Sequence, residues 1–300
     1  MFERILLPLD GSEIAETALP YGEELAKGLG SELILYHVRG HEHLQEYEHI
    51  HQMYLARLAE TAEHNIKSDT HTGAEVKVTI KVEAGEPTVN ICDFVGKNDV
   101  SLIIMAGVSA SGLKIGKGLG SVTDYVCRTV AIPVMLIRPQ NIKQNEEKQR
   151  LINRLLLPLD GSDLSKLALP ITEEIAANLK VRVTLFQMAN IIRPVYDVTG
   201  TGSYINYTEL NEDEKKRVIA EMIALETELK EKDLDVTNIV TSGFDAADEI
   251  IKAVEKVNAD LVVMSTHGRS GIGRWVFGNV AEKVLRHGDT PLLLVHARAG

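Results

Sequence analysis

Cysteine is almost missing: Cys92 and Cys127 are the only two in 300 residues, and no Cys-x-x-Cys pair occurs. That scarcity excludes a disulfide framework and a cysteine-rich zinc site, and it reads both residues as reduced core side chains of a cytoplasmic protein. Long apolar runs are missing too. No stretch approaches the roughly 20 residues of a membrane span, and the opening Met-Phe-Glu-Arg-Ile-Leu-Leu-Pro is too short for a secretion signal. Basic charge is outnumbered, with 32 Lys and Arg against 43 Asp and Glu and a formal net charge of -11. A chain of that sign repels nucleic acid and anionic membranes unless a local patch overrides it. The longest basic run, Lys215-Lys216-Arg217, lies between acids on a helical pattern and forms no such patch. Familiar catalytic signatures are absent as well: there is no Gly-x-x-x-x-Gly-Lys-Ser/Thr, no Gly-x-Ser-x-Gly and no His-Glu-x-x-His. His41, His43, His49, His51 and His64 crowd one polar helical stretch without a cysteine or carboxylate at ligand spacing, and they read as a solvated face.

What the chain does have is a repeat. Ile-Leu-Leu-Pro-Leu-Asp-Gly-Ser at 5–12 returns as Leu-Leu-Leu-Pro-Leu-Asp-Gly-Ser at 155–162, and Ala18-Leu19-Pro20 returns as Ala168-Leu169-Pro170. Leu102-Ile103-Ile104-Met105 matches Leu261-Val262-Val263-Met264 at a larger offset, so the second copy carries about nine more residues, placed around 191–207. Each copy shows five short apolar runs separated by helical patterns: 4–9, 33–38, 75–82, 102–106 and 132–137, then 155–159, 181–188, 234–241, 261–264 and 292–295. Alternating strands and helices predict an α/β fold, here two tandem doubly wound five-stranded parallel-sheet domains. We assign them to 1–138 and 154–300, with the polar segment 139–153 as linker. Within the first helical pattern Pro20 predicts a kink or a late start. The run 75–82 alternates in polarity and suits a sheet edge. The final strand of each copy is also expected at an edge of its own sheet, where it needs cover.

The stretch with most chemical content is 261–280. An apolar strand ends in small polar residues, passes through a loop with Gly268, Gly271, Gly273 and Gly278, and enters a helix. Parallel sheets place such loops at the carboxyl ends of their strands, where the next helix offers unpaired amides and partial positive charge. Glycine lets the main chain close on a phosphate, and Arg269 and Arg274 supply neutralising charge.

Pro-Leu-Asp-Gly-Ser at each first strand, Ser-Thr-His-Gly-Arg-Ser-Gly before the fourth helix and Thr-Pro-Leu-Leu-Leu-Val at the last strand resemble the universal stress protein family, as a tandem pair. The resemblance implies an adenine nucleotide alpha hydrolase-like domain whose site is written Gly-x-x-Gly, nine residues, then Gly-Ser or Gly-Thr. Carried onto the second half, it places Ser265 at the first glycine, then Gly268 and Gly278, with Asn279 at the hydroxyl position and Val280 after it. It further implies that Asp160 meets the ribose or adenine, that Met188 or Ala189 meets the adenine plane, and that Pro158 shapes the same wall. His267 reads as a packing or phosphate-contacting residue. The first half departs further: Ala106 and Ser109 replace both early glycines, Lys114 and Lys117 stand in for arginine, and Gly120-Ser121 is intact. Its site therefore reads as the weaker of the two, built from Pro8, Asp10, Val38, Gly120 and Ser121.

The function expected is a cytoplasmic, non-enzymatic stress-response module that binds ATP, ADP or AMP, with Mg2+ as an admissible companion. The resemblance also implies that the two halves pair with each other within the chain; further homodimerisation stays open. Two alternatives are kept. One is an interaction module of the same fold without a nucleotide. The other is an adenylating enzyme, against which stands the Asp-Gly-Ser found where such enzymes need a Ser-Gly-Gly-type loop.

Overall fold

The computed structural model describes residues 1–40, 48–68, 76–107, 119–138, 150–191, 207–268 and 277–296. In the first half, β1 (Arg4–Pro8), β2 (Glu32–Arg39), β3 (Val78–Ala84), β4 (Leu102–Ala106) and β5 (Val134–Ile137) alternate with α1 (Glu13–Glu16), α2 (Leu19–Leu29), α3 (Glu48–Ser68), α4 (Pro87–Lys97) and α5 (Ser121–Thr129). In the second, β6 (Arg154–Leu159), β7 (Arg182–Asn190), β8 (Val236–Gly243), β9 (Leu261–Ser265) and β10 (Leu292–Val295) alternate with α6 (Asp163–Lys166), α7 (Leu169–Leu179), α8 (Tyr207–Glu231), α9 (Ala246–Val257) and α10 (Asn279–His287). The expected strands are all present. Pro20 marks a late start rather than a kink, because it lies in the first turn of α2, where its missing N–H has no partner to lose.

The strands form one sheet in the order β3-β2-β1-β4-β5-β10-β9-β6-β7-β8. Every pair is parallel except the central one, β5 with β10, where Leu136, Met135 and Val134 face Leu292, Leu293 and Leu294. The last strand of each half is therefore an edge of its own five-stranded sheet and is covered by its counterpart, while β3 and β8 close the outer ends. Alternate residues of each strand enter opposite layers. Ile5 and Leu7 pack with α2 and α3, and Leu155 and Leu157 with α7 and α8. Leu6 and Leu156 pack on the other face with α4, α5, α9 and α10.

Helices on both faces reinforce the central seam. Under one face α2 meets α7 so closely that a Cβ on Gly28 would lie 2.5 Å from Leu179 Cδ1. On the other, the Arg128 guanidinium sits 5.0 Å over the ring of Phe277, which is itself buried. The stretch expected to be linker is structural at its end. Ile152 is fully buried, and the amides of Leu151 and Ile152 donate to Glu24 of α2 at 2.7 and 3.0 Å. The repeat makes this reciprocal, for the amide of Phe2 donates to Glu174 of α7 at 3.1 Å. Each half thus grips the chain entering the other half's first strand. The polar composition of 139–153 concealed this anchor because its acceptor lies more than a hundred residues away.

Removing the Glu24 carboxylate strands two amides in a half-buried seam. Glu24→Ala is expected to lower stability by about 1–3 kcal/mol, read as a fall in the urea midpoint, and an unchanged midpoint would show that the clamp contributes nothing.

Candidate functional site

Strand order reverses between β1 and β4 in the first half and between β6 and β9 in the second. At these points successive crossovers leave on opposite faces and a crevice opens at the carboxyl ends. The structure has a cavity at each: about 240 Å³ in the first half and about 350 Å³ in the second. The antiparallel seam sends the two toward opposite ends of the sheet.

Each crevice has a carboxylate locked at its inner wall. Asp160 follows β6, and its Oδ1 accepts from Ser162 N at 2.9 Å and from Ser162 Oγ at 2.6 Å. Gly161 between them has φ +82°, a left-handed conformation that glycine adopts without strain. The first half repeats the device with Asp10, Gly11 and Ser12, at the same 2.9 and 2.6 Å. Ser162 and Ser12 then cap the short helices α6 and α1. The Asp-Gly-Ser signature is thus a turn that fixes a carboxylate, and it leaves the second oxygen of Asp160 against Gly268. A Cβ on Gly268 would run into that oxygen.

The expected second-half residues largely converge. Pro158, Asp160, Met188, Ser265, His267, Gly268, Gly278, Asn279 and Val280 all line the larger cavity. Ala189 does not: strand alternation turns its methyl into the core on the opposite face, so the cavity takes Met188 and Asn190 from β7. Arg269, Gly271 and Arg274 lie outside the described residues. In the first half Pro8, Asp10, Val38, Gly120 and Ser121 all line the smaller cavity.

The sequence reading missed the apolar wall. Phe186 lies two residues before Met188 on the same face of β7, while Ala246 and Ile250 come from α9. Period-two alternation would have found Phe186; no local signal marks the α9 residues. In the first half Tyr36 replaces Phe186, and its hydroxyl donates to Glu83 at 2.7 Å. Burial, helped by that carboxylate, pushes the Tyr36 phenol well above its ordinary range.

At the loop end of the larger cavity, α10 begins after Gly278, and among the described residues no side chain caps it. Its first amides face the cavity wall formed by Gly278, Asn279 and Val280. His267 Nδ1 lies 3.0 Å from Thr266 Oγ1, while its Nε2 is buried without a partner among the described residues. His296, just beyond β10, also has a buried Nε2 without a partner among the described residues. Burial, with a smaller contribution from His267, depresses the His296 pKa from 6.5 to about 4.

Among the described residues no group of three His, Cys, Asp or Glu side chains is placed to hold a metal ion. Of the helical histidines, His49 and His64 are exposed, whereas His51 stacks on the buried His37 with ring centroids 4.6 Å apart. His41 and His43 lie outside the described residues. Among those residues no helix is long and apolar enough to cross a membrane.

Fold and crevices together define a duplicated α/β protein with a crevice at the switch point of each half. The universal stress protein family model matches twice, over residues 1–138 and 152–296, and the chain belongs to that family. It is 29% identical over 147 residues to a universal stress protein of Methanocaldococcus jannaschii, covering 49% of this chain and 84% of that protein. A universal stress protein of Mycobacterium tuberculosis is 24% identical over 225 residues, covering 71% of this chain and 70% of its own. The fold matches the crystal structure of a universal stress protein from Archaeoglobus fulgidus with a TM-score of 0.66, at 20% identity and 99% coverage of both chains.

His296 carries a pH signature. An unfolded imidazole gains its proton near 6.5 while the folded one resists until about 4, so acid favours unfolding across that interval. Stability is expected to fall by roughly 3 kcal/mol between those limits and then level off. Urea unfolding across the range checks this, and His296→Gln should lessen the fall.

Proposed function

We propose that this protein is a cytoplasmic stress-response module that binds an adenine nucleotide, principally in its second half, and acts through occupancy rather than chemistry. The observation that carries the reading is the closure of Gly268 onto Asp160, which leaves no room for a side chain at the start of the glycine loop. In this reading the flat apolar wall of Phe186, Met188 and Ile250 receives the base, with Pro158 beside it. The fixed carboxylate of Asp160 accepts from ribose hydroxyls. The amides at Gly268 and at the start of α10 meet the phosphates. Asn279 offers a side-chain amide where the family's pattern has a hydroxyl, and Ser265 is small enough to stand for glycine. Arg269 and Arg274 are expected to neutralise phosphate charge and Gly271 to allow close main-chain approach, with Mg2+ as an admissible companion.

The residues lining the crevice support binding without turnover. Among the described residues His267 is the one imidazole lining the crevice, and the crevice carboxylate is already engaged by a serine turn. The departures at Ser265 and Asn279 favour a second reading, an interaction module of the same fold that takes no nucleotide.

Thermal unfolding with ATP separates the two. At 100 times the dissociation constant a ligand stabilises by about 2.7 kcal/mol, an upward shift of several degrees. Gly268→Val is expected to lose most of the shift while keeping the cooperative transition. No shift at millimolar ATP with the wild-type chain would favour the interaction module.

A further inference from the structure

The seam places a half-buried arginine with one unpartnered donor among the described residues beside the smaller crevice. Arg138 follows β5 and continues the alternation that sends Val134 and Leu136 into the cavity-side layer. A Cβ built on Gly107 would lie 3.6 Å from Arg138 Nη1 and 3.8 Å from Leu119 Cδ2. The guanidinium therefore lies where the chain leaves β4, beside Leu119, which precedes Gly120 and Ser121 of the cavity wall. Its Nε is buried without a hydrogen-bond partner among the described residues. Burial lowers its pKa, and the field of Asp289 opposes the shift. A guanidinium stays charged at this depth, and a desolvated charged donor is costly until an acceptor meets it.

Duplication supplies an internal comparison. The matching position in the second half is His296, whose burial keeps it neutral at ordinary pH. One half thus has a permanent cation just past its seam strand, near the crevice, and the other has an uncharged imidazole at the matching position.

We propose that Arg138 is the anion-contacting residue of the first-half crevice, which accordingly takes a phosphate-bearing ligand although its loop lacks the early glycines. The inference rests on reading these crevices as nucleotide sites, and it gives the first half a ligand class: a molecule ending in a polyphosphate. Helix α5 begins at Ser121 with no side-chain cap among the described residues, so its first amides lie at the same end and add polarity of the same sign. An arginine fork on a phosphate oxygen is a charge-assisted contact that lysine reproduces only in part.

The test uses the full chain with the second crevice blocked by Gly268→Val, titrated calorimetrically with ATP, adenosine and inorganic tripolyphosphate. The blocked chain is expected to retain about one equivalent of ATP. Adding Arg138→Gln should weaken ATP at least tenfold and leave adenosine within twofold, with Arg138→Lys falling between. Equal losses for ATP and adenosine would make Arg138 a packing residue and overturn the proposal. Unchanged ATP affinity, or no ATP bound by the blocked chain when wild type binds it, would overturn it too. If the wild-type chain binds no nucleotide, the functional reading above fails by itself. Arg138-dependent binding of tripolyphosphate would then sustain the anion site, and its absence would end it. Circular dichroism of each variant establishes that the fold persists.

Discussion

Parallel strands cannot be joined by tight turns, so each connection crosses the sheet as a helix, and both faces must be covered. Starting from the middle of a sheet, the chain has to build outward in one direction and then return to build in the other. In both halves that return occurs between the first strand and the fourth. The gap it leaves cannot be filled by the crossovers on either side. Asp10 and Asp160, the glycine loops and the cavity walls all depend on that one unfilled place, and the Asp-Gly-Ser turn exists at its inner edge because the chain must leave the strand sharply there.

The seam answers a second demand of the same architecture. Each five-stranded unit ends in an edge strand of four apolar residues, Val134-Met135-Leu136-Ile137 in one and Leu292-Leu293-Leu294-Val295 in the other. Exposed, either would be a template for aggregation. Paired to each other they become the centre of a ten-stranded sheet, and the small number of paired residues is supplemented by helix contacts on both faces. The crossed carboxylate clamps of Glu24 and Glu174 tie each half's first strand to the other half's helix. Since those strands end at the crevices, the two sites share a frame even though they open in opposite directions.

Duplication also shows what has diverged. The carboxylate turn is the same in both copies to a tenth of an ångström, whereas the walls and the seam ends differ: Tyr36 against Phe186, Val38 against Met188, Arg138 against His296. Divergence reaches the walls of the crevices, whereas the turn that holds the chain in place has been kept.

Much of this was legible in the linear chain. Apolar runs of strand length separated by helical periodicity fixed the class of fold, an offset of 150 residues disclosed the duplication, and small residues after the ninth strand marked the loop, because each of these depends on neighbours in sequence. Gly268 was identifiable for the same reason, whereas Pro158, Asp160 and Met188 were marked by the resemblance to the family's motifs. Other features were decided only by tertiary structure. The turning of Ala189 into the core depends on strand register, and the arrival of Ala246 and Ile250 depends on how α9 packs. The capture of Leu151 and Ile152 by Glu24, and the half-buried setting of Arg138 and His296 beyond the seam strands, need partners that are distant in sequence. Periodicity in a sequence reports which face a residue occupies, but it carries no information about what stands opposite that face, and it is the opposite face that sets burial, charge and fit.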